Sequence, residues 1–416
     1  MDEALRTVTR DARVADPARL RECVHCGLCL NACPTYLELG TEMDSPRGRI
    51  YLISGLEDGT LALDDDVVRH LDLCLGCRAC ETACPSGVRY GGILEEARAY
   101  VERAAPRALP ARLRRAAILA SFPYPRRLRL LLGLAQVARG LGVWPLVTRV
   151  IEAAALVPPL RAQAPLARFY AAQGPERARV GLLGGCVGGA LFGEVNVAAI
   201  RVLTRHGVAV VVPPAQGCCG ALHLHSGAPD AARRLARRNL QVFPADLDAV
   251  VVTAAGCGSA MKEYVHLLAE DPSAARAHQF SGQVRDLTEF LAELDLPPPA
   301  RSLPLRATYH DACHLAHAQG VRAAPRRLLA SIPGLELVEL TEADVCCGSA
   351  GSYNLSEPAM ARRLRERKLD HIAATGASCV VAANPGCALQ IRAGLAARGL
   401  AVRVAHPVEL LDEAYG

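Results

Sequence analysis

Two runs of cysteine with identical spacing lie near the start of the chain. Cys23-x-x-Cys26-x-x-Cys29-x-x-x-Cys33-Pro34 is followed by Cys74-x-x-Cys77-x-x-Cys80-x-x-x-Cys84-Pro85. Thiolate sulfur is a soft donor that suits iron in a sulfide cluster. Three cysteines at steps of three come from one tight loop and wrap one cluster corner by corner. The fourth, set off before a proline, ligates the other cluster of a pair. The spacing therefore assigns one [4Fe–4S] cluster to Cys23, Cys26, Cys29 and Cys84, and a second to Cys74, Cys77, Cys80 and Cys33. Crossed ligation staples the two runs together, so folding and cluster binding are expected to be coupled. Zinc or buried structural cysteine fits less well, because tetrahedral zinc sites rarely use this triple.

The second half of the chain is an internal repeat. Cys186, Cys218-Cys219-Gly220 and Cys257 form one set; Cys313, Cys346-Cys347-Gly348 and Cys387 form the other, displaced by 127, 128 and 130 residues. Each copy reads as a β-rich run ending at the first cysteine, a helix, a second apolar run leading to the Cys-Cys-Gly turn, another helix, and a third strand ending at Gly256-Cys257 or Gly386-Cys387. Strand–helix alternation implies parallel sheets. Ligands in open α/β sheets gather at the carboxyl ends of strands, so each repeat is expected to bring its four cysteines to one rim. These eight are candidate ligands for a further iron–sulfur cluster or another metal such as zinc. The competing reading is buried core cysteine, but adjacent cysteines before glycine suit a place where backbone must approach a cluster. Cys379 has no counterpart and reads as core. His310, His314 and His317 surround Cys313, and His223 and His225 follow the first Cys-Cys-Gly; any of them could ligate metal, although simple hydrogen bonding is the commoner fate of a histidine.

The elements that position these residues are helical in the first part. Residues 1–20 read as a short helix, Pro46-Arg47-Gly48-Arg49 as a turn opening a helix over 50–56, residues 64–73 as a helix delivering Cys74, and residues 92–105 as a closing helix. Arg47 and Arg49 either offset cluster charge, fix the turn or lie on the surface. Residues 103–151 contain ten arginines and no acid, interleaved with apolar residues and Trp144. Such a stretch docks on an anionic membrane or an acidic partner, or packs internally; its prolines break it into short helices. The expected class is α plus α/β: a helical two-cluster ferredoxin-type domain over 1–105, a basic helical linker over 106–177, and tandem α/β cysteine-rich domains over 178–300 and 301–416.

With 51% hydrophobic residues and a net charge of +5, the chain is expected to be globular, without a general affinity for nucleic acid. The charged N-terminus lacks a secretory h-region, no apolar run is long enough to span a bilayer, and 17 cysteines without a signal point to a reducing compartment. Gly184-Gly185-Cys186-Val187-Gly188-Gly189 does not fit a dinucleotide fingerprint. No flavin motif, P-loop or nucleophile elbow is visible, so no residue receives a catalytic role: the chain has wiring but no substrate-oxidising cofactor.

Ser45-Pro-Arg-Gly-Arg-Ile-Tyr51, the run Cys74 to Gly87, Gly217-Cys-Cys-Gly-Ala-Leu222, His310-Asp-Ala-Cys-His-Leu315 and Asn384-Pro-Gly-Cys-Ala-Leu-Gln390 together resemble the iron–sulfur subunit family of glycolate oxidase over essentially the whole chain. The resemblance implies a partner flavoprotein with FAD, a second FAD-binding-type subunit, oxidation of glycolate to glyoxylate on the partner, and electron flow through this chain to a membrane quinone acceptor. It places the chain in the cytoplasm, peripheral at the inner face of the membrane. The membrane-anchor subunit of anaerobic glycerol-3-phosphate dehydrogenase, lactate-utilisation proteins and heterodisulfide reductase share the architecture in part. The heterodisulfide reductase repeat ends in Cys-x-x-Cys; here Ala260 and Gln390 stand three beyond Cys257 and Cys387. That argues against a five-cysteine noncubane cluster and disulfide chemistry, and leaves a four-thiolate cluster, another metal, or a metal-held scaffold.

Overall fold

The structure is a computed structural model that describes residues 13–105, 107–150, 154, 156–158 and 164–416. Its first part is helical: Pro17–Arg21, Pro34–Leu39, Pro46–Glu57, Asp65–Asp72, Ala79–Thr82 and Tyr90–Ala104. Of the helix expected over 1–20, only Pro17–Arg21 is seen, and residues 1–12 lie outside the described residues. Pro34, directly after Cys33, opens a helix because its fixed φ suits the first turn and its missing N–H is no loss there. Pro46 does the same. The Pro-Arg-Gly-Arg stretch expected as a turn is the first turn of the helix itself, since the Ser45 hydroxyl accepts from the Gly48 N–H at 3.0 Å and caps it. Asp64 caps the next helix by accepting from the Val67 N–H at 2.9 Å. Ile53, Leu71, Ile93 and Ala97 pack between these helices in one apolar cluster that includes Cys74 and Cys80.

Three further helices, Leu109–Ser121, Pro125–Gly140 and Trp144–Val150, occupy the arginine-rich stretch. Of docking and internal packing, the structure shows internal packing on one face and leaves the other face exposed. Leu128 and Leu132 are buried, whereas Leu130, Leu134, Val137 and Leu141 are between 59% and 72% exposed.

The second half contains two sheets. β1 (Phe169–Tyr170), β2 (Ala178–Leu183), β3 (Val208–Val211), β4 (Ala249–Val252) and β5 (Val284–Asp286) form one, in the order β1-β3-β2-β4-β5, with only β1 antiparallel. β6 (Leu305–His310), β7 (Leu335–Val338), β8 (Cys379–Ala382) and β9 (Arg403–Ala405) form the other, parallel throughout, in the order β7-β6-β8-β9. The orders β3-β2-β4-β5 and β7-β6-β8-β9 match, so the cysteine repeat is also a repeat of topology. Central strands such as Ala249–Val252 and Cys379–Ala382 are apolar throughout because helices cover both faces of a parallel sheet. Cys379 is fully buried, as core. The halves share one core, to which Val180 and Leu203 contribute from the first and Ala307, Leu329 and Val381 from the second. Among the described residues no helix is long and apolar enough to cross a membrane.

Both Cys-Cys-Gly turns end on a left-handed glycine, φ 90° at Gly220 and 86° at Gly348. A Cβ at Gly348 would meet the Ala361 carbonyl oxygen at 2.5 Å, while at Gly220 the nearest atom is the Ala232 Cα at 3.3 Å. Alanine carries a left-handed cost of about 1–2 kcal/mol at either position. Gly348→Ala adds a backbone collision, so it is expected to lower the thermal unfolding midpoint by more than Gly220→Ala, as differential scanning calorimetry of the two variants would show.

Candidate functional site

The first cysteine run lies at the surface. Cys26 is exposed, and Cys23, Cys29 and Cys84 sit half-buried at the edge of the same apolar cluster. Val24 and Leu28, between these cysteines, are 67% and 59% exposed. Arg47 ties the loop down. It donates to the His25 carbonyl at 2.9 Å and makes two hydrogen bonds to Glu42, at 2.8 and 3.0 Å.

The second run is inside. Cys74, Cys77 and Cys80 are buried, and Cys33, also buried, lies close enough to raise the Cys77 and Cys80 thiols by charge repulsion. The fold thus brings Cys33 to the second run and sets Cys84 with Cys23 and Cys29 on the edge of the helical core. Burial first, then neighbouring cysteines, push the Cys77 and Cys80 thiols well above the usual range. Thiols crowded in a low-dielectric pocket cannot ionise together without a cation among them, and this donor set suits an iron–sulfur cluster.

Arg49 supplies part of the missing positive charge. Its side chain is 1% exposed, which overturns a surface role. It donates to the His70 carbonyl at 2.7 Å and to Thr35 Oγ1 at 3.1 Å, lies 3.9 Å from Cys33 Sγ, and pairs with Asp44 at 3.6 Å. His70 Nδ1 meets the same carboxylate at 2.8 Å. For Cys74, burial raises the thiol, but Arg49 and Arg98 outweigh it and the net shift is downward. Asp44, His70 and Arg98 escaped the reading of the sequence, because Asp44 and His70 meet only in three dimensions and Arg98 stands amid ordinary helix polarity.

In both repeats the cysteines lie beyond the carboxyl ends of parallel strands. Cys186 follows β2 and precedes the Val187–Leu191 helix; Cys257 and Cys387 sit in the first turns of Ala255–Lys262 and Pro385–Ala397. Cys186 Sγ lies 3.5 Å from Cys218 Sγ, and Cys219 hydrogen-bonds with Cys218 and Cys257. In the second repeat Cys346 bonds with Cys313 and Cys347, and Cys347 with Cys387. Hydrogen bonds from Cys346 and Cys387 hold Cys347 well below the usual thiol range.

Of the five histidines considered, His310 is the one that joins a cysteine group among the described residues. Ligand atoms of His310, Cys347 and Cys387 all lie within 4.8 Å of one another, and both nitrogens of the buried His310 ring lack a hydrogen-bond partner. His310 ends β6; Leu183 ends β2, so the repeats differ at this point. His314 bridges Ser259 Oγ and the Gly76 carbonyl at 3.1 Å each, and burial lowers it to about 3, leaving it neutral. His317 contacts Thr82 Oγ1 at 3.0 Å, and His225 contacts Glu95 at 2.9 Å. His223 packs near the Tyr124 ring and meets no cysteine group. Gln390, where a fifth cysteine would stand, is 2% exposed and donates to the Ala361 carbonyl at 3.2 Å.

The second run and the second repeat are packed together. Leu75, Cys77 and Ala79 share an apolar cluster with Cys313, Cys346 and Tyr353, and the Tyr353 hydroxyl donates to the Leu73 carbonyl at 2.9 Å. Arg98 donates to the Cys74 carbonyl at 2.5 Å and to the His225 carbonyl at 3.1 Å. Arg78, in the second loop, pairs with Glu81 and with Glu263 of the first repeat. A cavity of about 410 Å³ opens between these parts, with Cys74, Cys186, Cys257, Cys313 and Cys387 in its walls.

Removing one partner of a buried ion pair leaves an uncompensated charge and costs about 3–5 kcal/mol. Arg49→Met is therefore expected to strand Asp44, lower the thermal midpoint of the chain and reduce retained iron. Unchanged melting and iron content would contradict the charge-compensating role.

The sequence of residues 19–88 matches the family model of a 4Fe-4S dicluster domain, and residues 180–262 and 307–392 both match that of a cysteine-rich domain. The chain is 42% identical to the probable glycolate oxidase iron–sulfur subunit of Bacillus subtilis, covering 96% of this chain and 95% of that one. It is 37% identical to the glycolate oxidase iron–sulfur subunit of Escherichia coli, covering 95% and 94%. Identity to a fumarate reductase (CoM/CoB) subunit from Methanothermobacter marburgensis is 30%, over 96% of this chain and 73% of that one. With paired cysteine runs, a twice-repeated parallel sheet carrying cysteines at its rim, and these relatives over nearly its whole length, the chain belongs to the glycolate oxidase iron–sulfur subunit family.

Proposed function

We propose that this chain conducts electrons from a flavin-bearing partner, which oxidises glycolate to glyoxylate, towards a quinone in the cytoplasmic membrane. In this reading Cys23, Cys26, Cys29 and Cys84 hold one [4Fe–4S] cluster, and Cys33, Cys74, Cys77 and Cys80 hold the other. Cys186, Cys218, Cys219 and Cys257 form a third metal site. Cys313, Cys346, Cys347 and Cys387, with His310 beside them, form a fourth. Bound clusters supply one-electron storage; the chain supplies burial, hydrogen bonds and orientation.

The observation that carries the reading is the gradient of burial. The first run is at the surface between exposed Val24 and Leu28, a face suited to a partner subunit. The second is enclosed and abuts Cys313 and Cys346. The repeat cysteines line an inner cavity. Electrons thus have a solvent-side face for arrival and a shielded interior for departure. The FAD-containing subunit and the second FAD-binding-type subunit would meet the first face, with the assembly peripheral at the inner face of the membrane.

Reconstitution of the flavin subunits with and without this chain tests the role: glycolate-dependent quinone reduction is expected only with it, and equal rates without it would end the proposal. Iron, sulfide and zinc analysis of the anaerobically purified complex tests the metal sites. About eight irons per chain would fit two four-iron clusters alone, and zinc beside them would make the repeats a scaffold. A count towards twelve or sixteen on the same arithmetic would put clusters in one or both repeats.

A further inference from the structure

The Leu109–Ser121 and Pro125–Gly140 helices are apolar on two faces, which a helix lying on an ordinary protein surface does not need. In the second helix Leu128, Leu132 and Ala135 recur at helical spacing and line the cavity. Leu130, Leu134 and Val137 recur at the same spacing on the opposite side and are exposed. The first helix turns Ile118 and Leu119 to the cavity and leaves Leu109 and Leu113 more than 60% exposed. Leu131 belongs to both sides: it lines the cavity and is 46% exposed, so it marks a mouth. Nine of the fifteen exposed large hydrophobic residues among the described residues fall between Leu109 and Leu146, a concentration that signals an interaction surface.

The charges around this surface select its occupant. No acid occurs between Glu102 and Glu152. Arg112, Arg126 and Arg129 are exposed and have no ion-pair or hydrogen-bond partner among the described residues. Apolar side chains flanked by unpaired arginines match the acyl boundary and headgroups of an anionic bilayer.

The cavity behind the helices has the character of a lipophilic ligand site. Its volume of about 410 Å³ lies in the range of small-molecule pockets. The helix side is mostly leucine, isoleucine and phenylalanine, with Arg107, Arg114 and Arg115 at its edge; the far side carries the repeat cysteines and Ser349. Ser349 is 3% exposed, and its hydroxyl has no hydrogen-bond partner among the described residues. Its counterpart after the first Cys-Cys-Gly is Ala221. An unanswered donor at the end of a largely apolar passage fits a ring carbonyl on a hydrophobic molecule.

We propose that the helices of residues 109–140 lie on an anionic bilayer, and that the cavity beneath them binds a membrane quinone, entering past Leu131, with a ring carbonyl accepting from Ser349. This site deepens the reading that electrons leave the chain for a membrane acceptor, and rests on it.

The test uses the purified complex and two probes, a photoreactive azidoquinone with decylubiquinone as competitor, and phosphatidylcholine vesicles with or without phosphatidylglycerol. The azidoquinone should label peptides containing Leu131 or Ser349, and decylubiquinone should suppress the labelling. Ala135→Trp, which fills the cavity, should abolish the label. Ser349→Ala, a change too small to threaten folding, should weaken decylubiquinone binding roughly tenfold, the effect of one lost buried hydrogen bond. Leu134→Asp on the outer face should leave the label in detergent solution and remove binding to the phosphatidylglycerol vesicles. Label confined to a partner subunit, or unaffected by both cavity variants, overturns the site. Vesicle binding that survives Leu134→Asp, or disassembly of the complex by it, overturns the bilayer assignment and makes this face a subunit interface. Quinone reduction by the complex without cavity label sinks the site alone. Cavity label without any quinone reduction sinks the acceptor reading alone.

Discussion

Thiols gathered inside an apolar interior repel one another once ionised, and that constraint shapes the molecule. Burial raises Cys77 and Cys80, and each neighbouring sulfur raises them further. Such groups are held near one another usefully only if positive charge is placed among them. The chain provides some of it. Arg49 lies fully inside, anchored through Asp44 and the His70 carbonyl, and together with Arg98 brings Cys74 down. The bound metal of the 4Fe-4S dicluster domain provides the rest. The helices of the first part are arranged so that these cations and thiols face each other.

The same helices join the dicluster part to the sheets. Arg98 reaches from the Tyr90–Ala104 helix to the carbonyls of Cys74 and His225, Arg78 to Glu263, and Tyr353 to Leu73. None of these contacts touches a cysteine sulfur, yet they tie the second run to the two repeats. A rigid junction of this kind matters in electron transfer, where orientation is the protein's contribution.

Duplication gave the two repeats one topology but not one chemistry. Strand order and the left-handed glycine are shared. At the end of the first strand stands Leu183 in one and His310 in the other, and after the turn Ala221 in one and Ser349 in the other. At these two positions the second repeat is the polar one, and it is the one packed against Cys77. The inward apolar face of the arginine-rich helices closes the remaining side of the cavity, and the outward one is exposed.

Much of this was legible in the sequence, because cysteine spacing is a local property. Three cysteines at steps of three come from one loop whatever surrounds it, and the repeat of strand, helix and Cys-Cys-Gly turn shows in periodicity alone. The longer strands β2, β3, β4, β6, β7 and β8 were recognisable as apolar runs. The strands β1, β5 and β9, of two or three residues, were not, since pairing across the sheet rather than residue pattern creates them. Tertiary structure alone decided which histidine meets sulfur, as His310, His314 and His317 lie within eight residues yet face three environments. It also placed Arg49 inside and not on the surface, since a charge is buried only where distant partners such as Asp44 and the His70 carbonyl converge on it. The chain order fixes the cysteine spacing; long-range packing fixes the electric field around the thiols.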